Sequence, residues 1–337
     1  MRKLLLLFLI LNSILLHAAE NKDSTFTYRP NFHGTIRARA EWTTESDEFR
    51  FQVRNVRATL DGRIMPQIDY FLNIDLCDMG KIKMLDAWVR FTDRHGFSVQ
   101  AGQFRIPFGV DPFRAPHQYW FNNRSFIGKQ ICNYRAVGGK LGYRLSAVPL
   151  NLEGGIFSPT TIGDHSPWQK KLAWAWQASY QIENVKLSGG MASVRPSGYR
   201  ANLAGGCISW KYGRWIVEGE YMNEHYVNKA HKPVHSWNFF GGYRFPIKMG
   251  LFNFMSAEAR FDGMTAHSNL SPGDDGKLRT DNPKRNRITA GMMISHYRSA
   301  NLFADLRLDY EKYFYGKSSI PSPDNGDKLS LELILRF

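Results

Sequence analysis

Alternation of apolar and polar residues with a period of two runs through almost the whole chain of 337 residues. It recurs in segments of about ten residues separated by turn residues, as in β-strands whose two faces meet different surroundings. We therefore expect an all-β structure. The sequence predicts sixteen strands, at 31–41, 49–61, 66–75, 83–92, 96–105, 131–143, 148–158, 171–181, 184–194, 204–212, 214–223, 235–245, 250–261, 286–296, 301–310 and 328–337.

The two faces of these segments separate clearly. Leu72 and Ile74 lie on one parity of the segment 66–75, and Asp75 lies on the other. In the segment 328–337 leucines alternate with polar residues in the same way. A soluble sandwich also alternates, but its strands are shorter and its outer face is charged. The pattern predicts a transmembrane antiparallel β-barrel of about sixteen strands.

The N-terminus carries an export signal. A basic start precedes an apolar run at 4–16 that is too short to span a bilayer, and small residues follow it. These features are typical of a secretory signal peptide. We predict a signal peptide over 1–19 and a single barrel over 20–337, because no linker divides the remaining chain. Such a barrel is expected in the outer membrane of a Gram-negative bacterium.

The predicted connections differ in length, and outer-membrane barrels have short turns at one end and longer loops at the other. Short turns are predicted at Asp61-Gly62, Arg94-His95-Gly96 and Tyr212-Gly213. Longer polar loops are predicted at 159–170, 224–234, 262–285 and 311–327.

Aromatic residues make up 14% of the chain and need no ligand to explain them. An amphipathic ring is stable between the apolar and the wet layers of a membrane. We expect most of them to form interfacial girdles. The candidates are Trp42, Trp88, Trp174, Trp176, Trp210, Trp215, Tyr243 and Phe337.

A break in the alternation within 49–61 predicts a β-bulge. Arg50 and Arg54 lie on one parity, but beyond Asn55 the polar positions move to the other parity, beginning with Arg57. Since one extra residue flips every following side chain, a single bulge near Asn55 restores one continuous polar face. Two arginines of the preceding strand extend this face into a row. The predicted row comprises Arg37, Arg39, Arg50, Arg54 and Arg57.

Acidic residues on neighbouring strands leave two interpretations of this row open. Unpaired guanidinium groups stay charged near neutral pH and match phosphate and carboxylate oxygens with fork-shaped donors, which favours anions. Guanidinium groups paired with the acids leave a merely polar wall that passes small solutes without preference. The acids on the polar faces are Glu41, Asp61, Asp69, Asp75 and Asp86.

A long irregular segment follows the strand 96–105. It is rich in aromatic and basic residues and contains a single acid, Asp111. A loop of this size without alternation is more often functional than idle. We predict that 107–131 folds into the barrel as its constriction; an exposed surface loop is the alternative. Basic residues in and beside this loop complete the predicted anion pathway: Arg105, Arg114, Arg124, Lys129 and Arg135.

Signals for other functions are weak. The chain contains no HExxH, GxSxG or phosphate-cradling Gly-Lys-Ser/Thr motif. His231 and His235 flank Pro233 in a polar loop, so they cannot form the helical pair that binds zinc. We expect no catalytic residue, no cofactor and no metal ion, and no Ser–His pair of an outer-membrane lipid hydrolase can be assigned.

The net charge of +14 does not indicate nucleic acid as a partner. The chain carries an export signal and its arginines are dispersed, whereas nucleic-acid-binding domains cluster them on one face. We expect the positive excess in the lumen and at loops that face lipopolysaccharide.

One stretch resembles a known family. Residues 102–109 read Gly-Gln-Phe-Arg-Ile-Pro-Phe-Gly, similar to the GQFKxPFG signature of the phosphate-selective porin O and P family. An arginine-rich strand at 50–62, an acid-bearing strand at 69–75 and an "lkDAwv"-like strand at 83–89 precede it, as in the family. The resemblance is strongest over 31–145 and only architectural beyond.

The resemblance implies a sixteen-stranded barrel, usually a trimer, that passes anions with a preference for phosphate or polyphosphate. It maps the family's arginine row onto the predicted row and the family's constriction loop onto 107–131. Phe337 is similar to the terminal residue that barrel-assembly machinery reads. The family's phosphate-specific members crowd lysines near the constriction, whereas this loop carries only Lys129.

We therefore predict an outer-membrane porin with a water-filled, anion-preferring channel for phosphate, polyphosphate or other small anions. Its expected partners are small phosphate-like anions, outer-membrane lipid and lipopolysaccharide, barrel-assembly machinery and two further copies in a homotrimer. A non-selective diffusion porin for small hydrophilic solutes is the main alternative. A channel specific for saccharides or another solute and a structural or adhesive barrel without conduction are the others.

Overall fold

The computed structural model describes residues 29–78, 80–145, 147–159, 162, 165–195, 198–316 and 323–337. The predicted signal peptide lies outside these residues. Sixteen strands form within the described part: β1 (Asn31–Thr43), β2 (Glu48–Met65), β3 (Ile68–Asp78), β4 (Lys81–Thr92), β5 (Phe97–Arg105), β6 (Arg135–Arg144), β7 (Leu150–Phe157), β8 (Ala173–Ile182), β9 (Val185–Val194), β10 (Ala201–Tyr212), β11 (Trp215–Tyr226), β12 (Val234–Met249), β13 (Phe252–Met264), β14 (Arg285–Ser299), β15 (Leu302–Tyr315) and β16 (Lys328–Arg336).

The strands form one closed antiparallel barrel in which each strand pairs with its neighbours in sequence. β1 closes the ring on β16, with Ile36 opposite Leu335 and Trp42 opposite Leu329. Phe337 extends this seam, since its N–H donates to the Gly34 carbonyl over 3.1 Å. The predicted fold class is confirmed.

The faces of the barrel differ in polarity and exposure. On β16, Leu331 and Leu333 are more than 40% exposed, whereas Glu332 between them is fully buried. Because the barrel is closed, the exposed apolar face points outward and the buried polar face points inward. Within the described residues, no helix combines the length and apolar character needed to cross a membrane.

The two ends of the barrel have different connections. At one end, here the short-turn end, two to five residues join consecutive strands, as at 66–67, 213–214 and 300–301. The opposite end, here the long-loop end, carries 158–172 and 265–284. This asymmetry agrees with the sequence prediction.

Two predicted boundaries were wrong. Asp61-Gly62 is no turn, because β2 continues to Met65 and Gly62 pairs with Tyr70. The Tyr70 ring occupies the space that a side chain at Gly62 would need, so a glycine suits this strand position. β6 starts at Arg135 instead of 131.

The predicted bulge in β2 is present. Arg37 pairs with Asn55, and the next residue of β1, Ala38, pairs with Val53, so Arg54 is the extra residue. β4 has a corresponding irregularity, where Asn73 and Ile74 of β3 face Asp86 and Met84 and skip Leu85.

The chain between β5 and β6, residues 106–134, contains short helical turns at Asp111–Phe113, Pro116–Gln118 and Ile127–Ile131. Its backbone N–H groups donate to acids on the inward-facing side of distant strands. Asn122 N donates to Asp309 over 2.6 Å. Backbone N–H groups that lack a sheet partner thereby find acceptors among the acids of the barrel interior.

Apolar side chains of the same segment pack against one part of the wall. Phe126 and Ile127 are almost fully buried and belong to one cluster with Met222 of β11 and Met264 of β13. This packing joins the 106–134 segment to β11 and β13, and the same cluster continues through buried side chains of β7–β10.

Candidate channel site

A cavity of about 510 Å³, here the basic cavity, lies between the 106–134 segment and the wall formed by β1–β4, β6, β8 and β9. Its described lining contains one acid, Asp78. Eight basic side chains line it: Arg37, Arg54, Arg57, Lys83, Arg124, Lys129, Arg135 and Arg195. Six of them belong to the predicted pathway, so the fold brings the arginine row and the irregular segment together.

Carboxylates neutralise some of these arginines. Arg57 Nε lies 3.0 Å from Asp75 Oδ2. Arg135 Nε lies 3.0 Å from Asp86 Oδ1. These pairs match the interpretation in which lumen acids pair with the row.

The arginines of β1 form a second paired group. Glu332 of β16 accepts from both Arg37 and Arg39, at 2.7 and 2.6 Å. Arg50 pairs with Glu41. Arg39 and Arg50 do not line the basic cavity.

Four cations of the basic cavity pair with no carboxylate that the structure describes, and we call them the unpaired cations. Arg54 has neither an ion pair nor a hydrogen bond to a described residue. Arg124 donates to Asn133 over 2.9 Å and lies 5.1 Å from the Tyr119 ring centroid. Lys129 and Arg195 complete the group. Within the described residues, Arg54 is thus the member of the predicted row that fits the interpretation with unpaired guanidinium groups, and the other four arginines of the row fit the paired interpretation.

Sequence interpretation missed Arg195, which donates to the carbonyl of Gly198 over 2.8 Å. Arg195 follows β9 directly and was not assigned to the interior, because a single strand end carries little periodic signal. Closure of the barrel places Arg195 in the cavity lining beside Ala173 and Val194.

The remaining two predicted residues, Arg105 and Arg114, lie outside the basic cavity. Arg114 pairs with Glu218 of β11, and burial is outweighed by this carboxylate and by Asp111, so the pKa of Arg114 is raised. Its guanidinium carbon lies 5.5 Å from the Phe240 ring centroid. Arg105 is buried and donates to the Arg114 carbonyl over 3.2 Å.

The wall opposite the basic cavity carries a buried ion-pair network. Arg287 on β14 contacts Asp262 at 2.8 Å and Glu311 at 3.0 Å, and all three side chains are almost fully buried. Arg287 also donates to the Arg124 carbonyl over 2.7 Å. Arg260 and Asp262 are two residues apart on β13 and both point inward. This alternation could have indicated the ion-pair network, but it was not used in the sequence analysis.

Two side chains of the 106–134 segment have pKa values that differ from their usual ones. Burial, followed by the nearby charges of Arg336 and Arg57, lowers the pKa of His117 to about 3. Burial also raises the pKa of Tyr119 to about 12. Both groups are therefore neutral near pH 7, so neither adds charge to the basic side chains of this segment, Arg114, Arg124 and Lys129.

Trp88 does not belong to an interfacial girdle, so that prediction was wrong. It shares the inward parity of Asp86, and its ring stacks on Phe71 with centroids 5.3 Å apart. The guanidinium of Arg90 lies 5.1 Å from the same ring. The prediction failed because the candidates were assigned to the girdles by residue type. The position of Trp88 two residues after Asp86 already indicated that both side chains lie on the same face.

Most of the other girdle candidates lie on the outward face. Trp42, Trp174, Trp176, Trp210, Trp215 and Phe337 are each at least 36% exposed. Tyr243 is less exposed and packs against Trp215, with ring centroids 4.5 Å apart.

A closed sixteen-stranded antiparallel barrel with an apolar outer face, a charged interior and a long segment bound inside defines the porin fold. The family model of phosphate-selective porin O and P matches residues 26–134. This match confirms the resemblance over the part of the chain that contains the arginine row and the irregular segment.

Solved structures agree with this fold. The outer membrane channel DcaP of Acinetobacter baumannii is 9% identical, with a TM-score of 0.61 over 91% of this chain and 97% of that chain. In-vitro folded OmpT of Vibrio cholerae, in its trimer form, is 8% identical, with a TM-score of 0.60 over 92% and 99%. The anion-selective porin of Comamonas acidovorans is 13% identical, with a TM-score of 0.57 over 91% and 98%. No curated protein matches the chain by sequence.

Proposed function

We propose that this protein is an outer-membrane porin whose water-filled channel prefers small anions. The observation that carries the proposal is the lining of the basic cavity, where eight basic side chains stand against one described acid. A sixteen-stranded barrel is wide enough for an aqueous channel, so its selectivity comes from the groups that narrow it.

The 106–134 segment serves as the constriction in this proposal. Its contacts with Glu220 and Asp309 hold it to β11 and β15, and Arg37 and Arg39 of β1 donate to its Asn122 carbonyl. It shares the lining of the basic cavity with β1–β4, β6, β8 and β9. Solutes then pass between the segment and the arginine-bearing wall. Low-dielectric walls focus the positive field in such a passage and speed the entry of anions.

Paired and unpaired cations have different roles in this channel. An arginine that shares a carboxylate, such as Arg57 with Asp75, contributes a polar surface with little net charge. The unpaired cations provide the net positive potential. Their distribution over β2, the segment and the end of β9 allows an anion to move between weak sites instead of being trapped at one.

Small oxyanions, including phosphate, fit this lining best. Guanidinium groups match two oxygens of an oxyanion with two parallel donors, whereas a chloride ion offers a single acceptor atom. Lys129 is the one lysine of the segment, so we propose a general preference for oxyanions with phosphate among them.

We further propose that the barrel works as a homotrimer within outer-membrane lipid and lipopolysaccharide. The exposed apolar outer face fits lipid, and the relative OmpT is described in a trimer form. Chemical cross-linking of purified protein in detergent tests the trimer, since a monomer alone would contradict it.

Planar-bilayer recording of the purified protein tests the channel. We expect a reversal potential in a KCl gradient that indicates anion preference, and a current that added inorganic phosphate reduces. Anion preference without phosphate block would leave a general anion porin. A reversal potential near zero would instead favour the non-selective porin, in which the paired carboxylates dominate.

A further inference from the structure

A second pocket lies inside the barrel at the short-turn end. It has a volume of about 710 Å³, and its lining includes Phe71, Trp88, Arg63 and Arg90. We call it the ring-and-arginine pocket. It is separate from the basic cavity, because none of these four side chains lines that cavity.

The register of the sheet shows that the two rings face the interior. Phe71 of β3 is directly opposite Trp88 of β4, two residues beyond the pair Asn73 and Asp86. Asn73 donates to Asp86 over 2.9 Å on the inward face, and strand side chains two residues apart share a face. The rings lie nearly parallel, at an interplanar angle of 15°, and are half-buried.

The charge beside the rings is positive. Arg63 and Arg90 share the single carboxylate of Asp69, at 3.2 and 2.9 Å. The lining also includes Arg29 and Asp61, so three arginines stand against two aspartates and leave one net positive charge. Both arginines are more than a third exposed, so their remaining N–H donors face the pocket water.

We propose that the ring-and-arginine pocket binds organic anions in which a phosphate or carboxylate is attached to a ring that packs against the two aromatic side chains. The Arg90 guanidinium lies 5.1 Å from the Trp88 centroid, so a ring against the aromatic pair brings its acidic group to the arginines. Aromatic contacts and charge-assisted hydrogen bonds then act together. Inorganic phosphate has no ring to pack against Phe71 and Trp88, so the pocket should bind ring-bearing anions more tightly than inorganic phosphate. The ring can be aromatic or a sugar.

This inference rests on the proposed channel, through which the solute reaches the pocket. The experiment measures block of KCl current through the purified protein by phenyl phosphate, by glucose 6-phosphate and by inorganic phosphate. Trp88→Leu and Arg90→Gln remove the ring and the charge separately. Trp174→Leu is the matched control, because Trp174 is exposed on the outer face.

We expect phenyl phosphate or glucose 6-phosphate to block at lower concentration than inorganic phosphate. Trp88→Leu should weaken that block about three- to tenfold and change block by inorganic phosphate less than twofold. Arg90→Gln should weaken ring-bearing block while the KCl reversal potential stays anionic. Which of the two compounds depends on Trp88 identifies the ring as aromatic or sugar.

Block that is equal for all three compounds, or equally changed by Trp88→Leu and Trp174→Leu, would overturn the inference. Those results leave the proposed porin standing when the reversal potential remains anionic. Conversely, ring-dependent block in a channel without anion preference would reject the proposed selectivity and retain the pocket. A variant that fails to assemble is replaced by Phe71→Leu, which tests the same ring pair.

Discussion

The net charge that an arginine adds to the inner wall depends on whether a carboxylate lies beside it. Arg57 and Arg54 are three positions apart on β2, but Asp75 holds the first and no described acid pairs with the second. Arg57 lies directly opposite Asp75 in the register of β2 and β3, whereas Arg54 is the bulge residue, without a partner on β1. Net charge in the passage thus depends on a few residues instead of on the whole arginine row.

We predict that Arg54→Gln reduces the ratio of anion to cation permeability in a KCl gradient. The substitution removes an unpaired charge from the basic cavity without leaving a buried carboxylate unpaired. Stability should change by less than about 0.5 kcal/mol, as for substitutions away from packed or paired sites. Lys232→Gln is the control, because it removes the same charge from an exposed loop position. An equal effect of both variants would contradict the prediction.

Lys129 should make the selectivity depend on pH. Removal from bulk water, followed by the charges of Lys328 and Arg287, lowers the pKa of Lys129 to about 8. The side chain is therefore mostly protonated at pH 7 and loses its positive charge as the pH rises through about 8. We expect anion preference to fall between pH 7 and pH 9, measured by reversal potential. The same fall in Lys129→Met would show that another group titrates.

At the scale of elements, the 106–134 segment replaces its missing sheet partners with interior acids. Val110 N and Asp111 N both donate to Glu220, over 2.6 and 3.0 Å. Ser125 Oγ donates to Asp111 Oδ2 over 2.7 Å, which joins two distant parts of the segment. These contacts let an irregular chain remain ordered inside a polar barrel.

We predict that Glu220→Ala loosens the segment but leaves the barrel intact. Each backbone N–H that loses its buried acceptor costs about 1–3 kcal/mol. Single-channel recording should show larger current fluctuations, and trypsin should cut more readily within 106–134. Glu153→Ala is the control, since Glu153 pairs with Lys140 and makes no contact with the segment. Unchanged noise and unchanged cleavage in Glu220→Ala would contradict this role.

At the scale of the whole molecule, one seam closes the barrel. β1 and β16 are the first and last strands, so their pairing has the largest separation in sequence. Phe337 adds two backbone hydrogen bonds to Gly34 at the short-turn end of this seam. Its ring lies over Gly34, in space that a side chain at that position would need.

Phe337→Ala should lower the yield of assembled barrel. The variant keeps the backbone bonds but removes the terminal ring that packs over Gly34. The yield can be measured from the fraction that migrates as a compact, heat-modifiable band in gel electrophoresis. Phe314→Ala removes an outward ring of similar exposure away from the β1–β16 seam and serves as the control. Equal yields for both variants would contradict a special role for the terminal residue.

The sequence by itself determined the number of strands, their faces and the bulge in β2. Alternation is a local property, because neighbouring side chains of a strand point to opposite faces whatever they pack against. The segment predicted at 204–212, one of the shorter ones, is a strand from Ala201 to Tyr212. The same local signal placed the arginines of β1 and β2 on one inner wall.

Only the tertiary structure decided which of those arginines have a carboxylate beside them that offsets their charge. Glu332, which neutralises Arg37 and Arg39, lies almost three hundred residues away in sequence. The position of the 106–134 segment depends equally on remote acids such as Asp309. Ion pairs form between side chains that barrel closure brings together, and no local pattern encodes that proximity.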